Sequence, residues 1–136
     1  LVWGTTTKGN FEKLQLLQKR VLRIFLNYTG PIRLLQTQPL FLKFDVLSAD
    51  KVYIWRMAQQ IHKKKLHTIY TPVLVQYDIR NPKRRAKKVR TNYGKQDPEY
   101  QVIDIINHYS TRLDFNLSPK AFKRECRSIL FSSQTV

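Results

Sequence analysis

The sequence predicts a mainly α-helical protein, a small bundle of about four to five helices with a long basic loop between the third and the fourth. Three observations support this fold class. Apolar residues recur at steps of three and four in several segments, the spacing of one face of an α-helix. Asn or Ser precedes several of those segments, as helix N-caps do. At 136 residues, the chain is long enough for one domain with a core of moderate size.

The first helix is predicted from Asn10, a suitable N-cap, to about Asn27, where Gly30 and Pro31 end it. One face of this helix is an apolar stripe, and the opposite face is polar and basic. The stripe consists of Phe11, Leu14, Leu17, Val21, Ile24 and Phe25, and the opposite face of Lys13, Gln15, Lys19, Arg20 and Arg23.

The middle of the chain predicts a second clear helix. Residues 32–46 are apolar but contain Pro39, which permits a short helix before the proline and a turn or second short helix after it. Ser48 then offers an N-cap for a helix that ends near residues 60–62, followed by three lysines at the negative end of the helix dipole. Residues 66–75 fit either a short helix or a strand, and we favour the helix.

The C-terminal part predicts two more helices. In residues 99–109, Tyr100, Ile103 and Ile106 lie at helical spacing, although the Val and Ile content also fits a strand. The last helix begins clearly, because Ser118 is an N-cap and Pro119 follows at the first helical position. Its apolar stripe consists of Phe122, Cys126, Ile129 and Leu130.

These elements predict an N-terminal helical part at residues 1–78, a basic loop at 79–98 and a C-terminal helical part at 99–136, within one folding unit. The chain begins at Leu1 without Met, in an apolar stretch of the kind that packs against a preceding segment. We therefore expect a fragment of a larger polyprotein.

The positive charge of the chain is concentrated in one stretch. With 25 Lys and Arg against nine Asp and Glu, the formal net charge is +16. Residues 80–96 hold eight of those cations and no acid, so they carry half of the net charge. Three tyrosines, Tyr77, Tyr93 and Tyr100, lie in or beside this stretch, and aromatic rings can stack on bases or sugars. This combination predicts contact with nucleic acid, whereas residues 83–88 alone also resemble a nuclear-localisation signal.

The composition of the chain indicates its cellular compartment. The single cysteine, Cys126, excludes an internal disulfide framework and suits a reducing environment. No apolar run approaches the roughly 20 residues that span a bilayer, and no signal peptide is recognisable at the N-terminus. We predict an intracellular protein, located in the nucleus, that has no membrane partner. Binding to a membrane surface is the main rival interpretation of the positive charge.

Catalytic motifs are missing from the sequence. Two-metal chemistry needs paired carboxylates, and the nine acids are mostly isolated. Residues 4–9 have the two glycines of a phosphate-binding loop but lack the Lys and Ser or Thr that must follow. His62, His67 and His108 lack the spacing of a metal site, and Cys126 lies on a core stripe. No catalytic, metal-binding or cofactor-binding residue is predicted, although an enzyme site assembled across helices stays open.

Several short segments resemble one known family. They are Val2-Trp3-Gly4, residues 13–24 (KLQLLQKRVLRI), Pro39-Leu40-Phe41, residues 89–95 (VRTNYGK), and Ser118 with Phe122-Lys123-Arg124. In order and spacing they resemble the C-terminal, post-catalytic region of the reverse transcriptases of non-LTR (LINE-type) retrotransposons, over nearly the whole chain. One departure is Ile105-Ile106-Asn107, where the family usually has Leu-Trp-Asn.

The resemblance implies the end of the thumb and a helical region that lies along RNA template and nascent DNA. It implies the upstream palm and fingers of the same polypeptide as partners, and a palm that holds the catalytic aspartates and the Mg²⁺ of the parent polymerase. The fragment itself is then non-catalytic.

Nucleic-acid contacts are predicted at two places, the basic face of the first helix and the basic loop. The predicted contact residues are Arg20, Arg23, Lys83, Arg84, Arg85, Lys87, Lys88, Arg90, Tyr93 and Lys95. Within the loop, we expect Arg90, Tyr93, Gly94 and Lys95 to hold a defined geometry and the preceding cations to form an adaptable electrostatic grip. The alternative is a domesticated retrotransposon fragment that acts as a protein-interaction module with a nuclear-targeting basic loop.

Overall fold

The predicted helices form, and they pack as a bundle. The structure is a computed structural model that describes residues 8–70 and 83–134, and within these residues all regular structure is helical. The helices are α1 (Lys8–Phe25), α2 (Gln38–Lys43), α3 (Ala49–Lys63), α4 (Leu66–Ile69), α5 (Pro98–Tyr109) and α6 (Pro119–Ser132), with 3₁₀ turns at Ile32–Leu34 and Gly94–Gln96. The mainly α-helical bundle is confirmed.

Among the described helices, the basic loop follows the fourth instead of the third, because Gln38–Lys43 form a helix of their own. Pro39 does not break α2, since it lies in the first turn, where a helix needs no backbone N–H from it. The stretch 99–109 is a helix, and Asp97 caps it by accepting a hydrogen bond from the Glu99 backbone N–H at 2.9 Å. Of the predicted element at 66–75, α4 is its first turn, and residues 71–75 lie outside the described part.

Helices α1, α2 and α3 each end near a residue other than glycine that has a left-handed backbone conformation. Asn27 (φ 50°) ends α1, Asp45 (φ 52°) ends α2, and Lys65 (φ 51°) separates α3 from α4. After α1, the Tyr28 N–H donates to the Arg23 carbonyl and the Asn27 N–H to the Ile24 carbonyl, the bond pair of a Schellman cap. Helix α1 therefore ends at Phe25 and is capped by Asn27. Gly30 and Pro31 are not what ends it.

The main core lies between α3, α5 and α6. Ala58, Ile61, Ile106, Phe122 and Leu130 are at most 1% exposed, and apolar residues of all three helices surround them. A smaller cluster of Leu22, Leu40 and Phe41 joins α1 to α2. Buried Gln134 links the end of the chain to the start of α3, because its side chain accepts from the Ser48 N–H at 2.9 Å and donates to the Val46 carbonyl at 3.1 Å.

The apolar stripe of α1 is not buried, although a stripe of this kind is usual for the core-facing side of a helix. Leu17, Ile24 and Phe25 are 53%, 71% and 67% exposed, and only Leu22 of this helix is buried. Besides Leu22, a polar side chain attaches the helix. Gln18 donates to the Leu47 carbonyl at 3.0 Å and accepts from the Ala49 N–H at 2.9 Å. The exposed stripe borders an apolar groove of about 490 Å³ that Val46 and Val52 also line.

Candidate nucleic-acid interface

Residues 83–96, here called the basic segment, run without regular structure as far as the turn at Gly94–Gln96. Side chains alternate at its start. Arg84 and Ala86 are half-buried, whereas their neighbours point to solvent. Alternation of this kind is what an extended backbone produces when one of its faces lies on the protein. The exposed cations are Lys83, Arg85, Lys87, Lys88, Arg90 and Lys95.

Asn107 on α5 holds the backbone of this segment. Its side-chain oxygen accepts from the Arg84 N–H at 2.7 Å, and its side-chain nitrogen donates to the Arg84 carbonyl at 2.8 Å. One amide group thus makes both hydrogen bonds that a neighbouring strand would make. The start of the basic segment is consequently attached to α5, and its position is defined.

The Arg84 side chain turns inward. Its Nε donates to the Tyr70 carbonyl, and its Nη2 donates to the His67 carbonyl at 3.4 Å. These carbonyls lie at the end of α4, where a helix leaves such groups without partners of its own. Burial lowers the pKa of Arg84. In the described structure, this guanidinium connects the basic segment to α4.

Lys87 is also engaged, by two carboxylates at the start of α5. It forms an ion pair with Glu99, and its Nζ lies 4.0 Å from Asp97 Oδ2. The hydrogen bond with Glu99, then the charges of Glu99 and Asp97, raise the pKa of Lys87. All three side chains are substantially exposed to solvent, so the pair orients the segment and adds little stability.

The second half of the segment has a defined turn. Thr91 Oγ1 accepts from the Gly94 N–H at 3.1 Å, and Gln101 on α5 donates to the Lys95 carbonyl at 3.2 Å. A side chain at Gly94 would place its Cβ 3.0 Å from the Cβ of Val89, closer than side chains normally pack. Gly94 and Lys95 are therefore held in a defined turn. Tyr93, at the tip, is 83% exposed.

The α1 arginines belong to a different element from this turn. The start of α1 approaches the segment through a chain of contacts: Phe11 packs on Tyr53 with ring centroids 5.8 Å apart, and Tyr53 donates to Gln101. Arg20 lies nine residues beyond Phe11, about 14 Å further along the helix axis. Arg20 is exposed, whereas Arg23 is half-buried and its Nε is buried without a hydrogen-bond partner in the described part.

The predicted contact residues thus divide into three groups. Five cations of the basic segment are exposed together with Tyr93 and take part in no ion pair among the described residues: Lys83, Arg85, Lys88, Arg90 and Lys95. Arg84 and Lys87 hold the segment in place. Arg20 and Arg23 belong to a different element. Residues 80–82 lie outside the described residues.

Sequence reasoning missed the side chains that position the segment. Asn107 and Glu99 carry no charge pattern or motif that points to residues 84 and 87. The one available signal was that Asn107 is a polar residue that directly follows three isoleucines of an apolar helix face, Ile103, Ile105 and Ile106. Half-buried polar side chains in such places are usually paired.

Metal-ligating and nucleophilic side chains are the remaining candidates for a functional site. Among the described residues, no group of three or more His, Cys, Asp and Glu could hold a metal ion. Cys126 is 1% exposed, and burial raises the pKa of its thiol to about 12, so it stays protonated at neutral pH. None of the described helices is both long and apolar enough to cross a membrane.

Comparison with known proteins adds no relative. No family model, no curated protein and no solved structure matches this chain. The resemblance to retrotransposon reverse transcriptases stays a prediction.

Proposed function

We propose that this chain binds nucleic acid through the basic segment and holds an RNA template or RNA/DNA hybrid by its backbone, as a non-catalytic C-terminal region of a retrotransposon RNA-directed DNA polymerase. One observation carries the proposal. Five exposed cations and an exposed tyrosine are presented on a backbone that Asn107 and Glu99 hold against α5.

The arrangement suits phosphates. Lys83 and Arg85 lie two residues apart in an extended stretch, so their Cα atoms are separated by about 6.6 Å. This is on the scale of the distance between successive phosphates of a strand. Lysine and arginine that reach phosphates give affinity without sequence preference, as a polymerase that copies every sequence requires. Tyr93 offers a ring face for stacking on a base or a sugar.

The anchoring of the segment supports binding further. A charged segment that is disordered before binding must lose conformational freedom when it binds, at about 1–2 kcal/mol per residue for the backbone. The bonds to Arg84 and the ion pair of Lys87 restrict the segment before the ligand arrives. Less of the interaction free energy is then spent on ordering.

A matched pair of variants tests the proposal. The first replaces Lys83, Lys88, Arg85 and Arg90 by Ala, and the control replaces four exposed cations elsewhere: Arg33, Lys43, Arg112 and Arg124. Both lose the same charge. Binding to a labelled RNA/DNA hybrid is measured by fluorescence polarisation over a series of salt concentrations.

The segment variant should lower the magnitude of the log–log salt slope by up to about 3.6, which is about 0.9 per lost phosphate contact on a duplex. The control should keep most of the slope, because its cations are not in the interface. Equal losses in the two variants would show that total charge alone attracts the ligand, and the proposal would fail.

The alternative, a protein-interaction module with a nuclear-targeting loop, uses the same cations. Of the five cations in residues 83–88, Arg84 and Lys87 are engaged with protein carbonyls and carboxylates. A targeting receptor would have to displace those contacts, whereas a nucleic-acid strand can use the exposed residues alone. This observation favours nucleic acid. Loss of binding to an acidic protein partner in the segment variant, with no nucleic-acid binding by the unaltered chain, would support the alternative.

A further inference from the structure

A cleft of about 850 Å³ opens between the C-terminal end of α3, the short helix α4 and the N-terminal end of α6. Ligand pockets of proteins commonly have volumes of about 300–1,000 Å³. The cleft is formed by residues that the basic segment does not contain. Its volume, its charge and the aromatic rings that line it together indicate one class of ligand.

The charge of the cleft is of one sign. Four lysines line it, and no Asp or Glu does: Lys63, Lys65, Lys120 and Lys123. Lys123 directs its Nζ over the ring of Trp55, 5.5 Å from the ring centroid. The other three are exposed and have no carboxylate within ion-pair distance among the described residues. Three ammonium groups around one opening attract a multiply charged anion.

The floor of the cleft is a row of four rings. His62 stacks on Phe122 with ring centroids 4.3 Å apart, and His67 stacks on Phe115 at 4.7 Å. The two pairs are joined, because the Phe115 and Phe122 centroids lie 5.4 Å apart. His62 Nε2 lies 2.9 Å from the Leu117 carbonyl, to which it donates, and this orients the first ring. Phe122 is buried, whereas Phe115 is only half-buried, so part of its ring is exposed to the cleft and can contact a ligand.

We propose that this cleft binds a nucleoside phosphate, with the phosphates at Lys63, Lys65 and Lys120 and the base packed against Phe115. Cations and a ring platform are the two groups that recognise such a ligand when no base-specific contact is required. An inorganic anion would use the lysines alone, and an apolar ligand would use the rings alone. The nucleoside phosphate uses both.

The ligand has two possible sources. Arg84 of the basic segment donates to the His67 and Tyr70 carbonyls, and the His67 ring lines the cleft. A strand held by the basic segment could therefore place one of its nucleotides there, and a free nucleotide could also enter. The inference does not depend on the proposed function, because a mononucleotide tests the cleft by itself.

The experiment uses three probes: ADP, pyrophosphate and adenosine. Affinities are measured by NMR titration of the full chain, with the amide resonances of His67 and Phe115 as local reporters. We expect ADP to bind at least about tenfold more tightly than either pyrophosphate or adenosine, a difference of ~1.4 kcal/mol. Equal affinity for ADP and pyrophosphate would overturn the proposal, since attraction to charge alone would then explain binding. Undetectable binding of ADP at millimolar concentration would also overturn it.

Variants locate the site. Replacing Lys63, Lys65 and Lys120 by Gln should weaken ADP binding about tenfold. The control replaces Lys8, Lys13 and Lys43 by Gln, removes the same charge from exposed positions elsewhere, and should change the affinity less than about twofold. Phe115→Leu should weaken the binding of ADP and leave the binding of pyrophosphate unchanged. Equal effects of the two lysine triples would refute the assignment. Circular dichroism checks that each variant is folded.

A short single-stranded oligonucleotide distinguishes the sources. If the variant at Lys63, Lys65 and Lys120 also binds the oligonucleotide more weakly, the ligand is a nucleotide of the bound strand. If this variant binds only ADP more weakly, the ligand is a free nucleotide. Both results support the cleft. The basic-segment variant should leave ADP binding intact, so failure of the proposed function and failure of this inference give different patterns.

Discussion

Asn107 and Arg84 carry much of the local organisation of the basic segment. The two residues are 23 positions apart in sequence, and the Asn107 amide makes two hydrogen bonds to the Arg84 backbone at 2.7 and 2.8 Å. The Arg84 side chain continues to α4 through the His67 and Tyr70 carbonyls. A cation that composition suggests for binding thus has a structural task, and an uncharged residue determines where the other cations lie.

Replacement of Asn107 by Ala should release the start of the basic segment without changing its charge. The loss of two hydrogen bonds predicts a decrease of about 1–3 kcal/mol in the free energy of unfolding. Exchange of the Arg84 amide hydrogen with solvent should become at least about tenfold faster, because its partner is gone. Hydrogen-exchange NMR measures this, and His108→Ala, at the exposed neighbouring position, is the control. Unchanged protection of the Arg84 amide would contradict the role given to Asn107.

At the scale of the elements, α1 differs from the other long helices. Helices α3, α5 and α6 bury their apolar faces in one core. Helix α1 is attached through Gln18 and Leu22 and leaves most of its apolar residues in solvent. The helical periodicity is the same in both cases. It reports that a helix is amphipathic, and the partner available to the helix decides whether the apolar face is covered.

Two identical substitutions on α1 should have different consequences. Leu22 is 3% exposed and Leu17 is 53% exposed. Leu22→Ala should lower the free energy of unfolding by about 2–4 kcal/mol, since it leaves a cavity in the cluster with Leu40 and Phe41. Leu17→Ala should change it by less than about 0.5 kcal/mol. Urea unfolding of both variants measures the difference. A larger loss for Leu17 would mean that α1 is turned the other way.

For the whole molecule, net charge opposes the compact state. A formal charge of +16 on 136 residues makes the folded chain repel itself at low ionic strength. The three ion pairs among the described residues are all largely exposed, so they offset little of this repulsion. The same charge attracts a polyanion. Salt should therefore act in opposite directions on folding and on binding.

The urea midpoint should rise with added NaCl, while affinity for nucleic acid falls. Between 0.01 M and 0.15 M salt the screening length shortens from about 30 Å to about 8 Å, so repulsion across the molecule is largely removed. We expect a gain on the order of 1 kcal/mol in the free energy of unfolding. Urea unfolding at several NaCl concentrations measures it, with uncharged sucrose as a control for effects of cosolute. A midpoint that falls with salt would mean that attractive ion pairs outweigh the repulsion.

The sequence by itself determined the fold class and the positions of the helices. Ser118 and Pro119 start α6, Asp97 and Pro98 start α5, and the spacing of apolar residues predicts both helices. These features are local, because caps and periodicity act within a few residues. Charge is also additive along the chain, so the concentration of cations could be recognised without a structure.

Only the tertiary structure decided which surfaces are available. It placed Arg84 and Lys87 in contact with the protein, exposed the stripe of α1, and brought His62 beside Leu117, 55 residues away. Each outcome depends on contacts between residues distant in sequence, and local periodicity holds no information about those partners. A basic stretch predicts a polyanion, and the packing of α4, α5 and α6 determines which of its cations, and which cleft, can reach one.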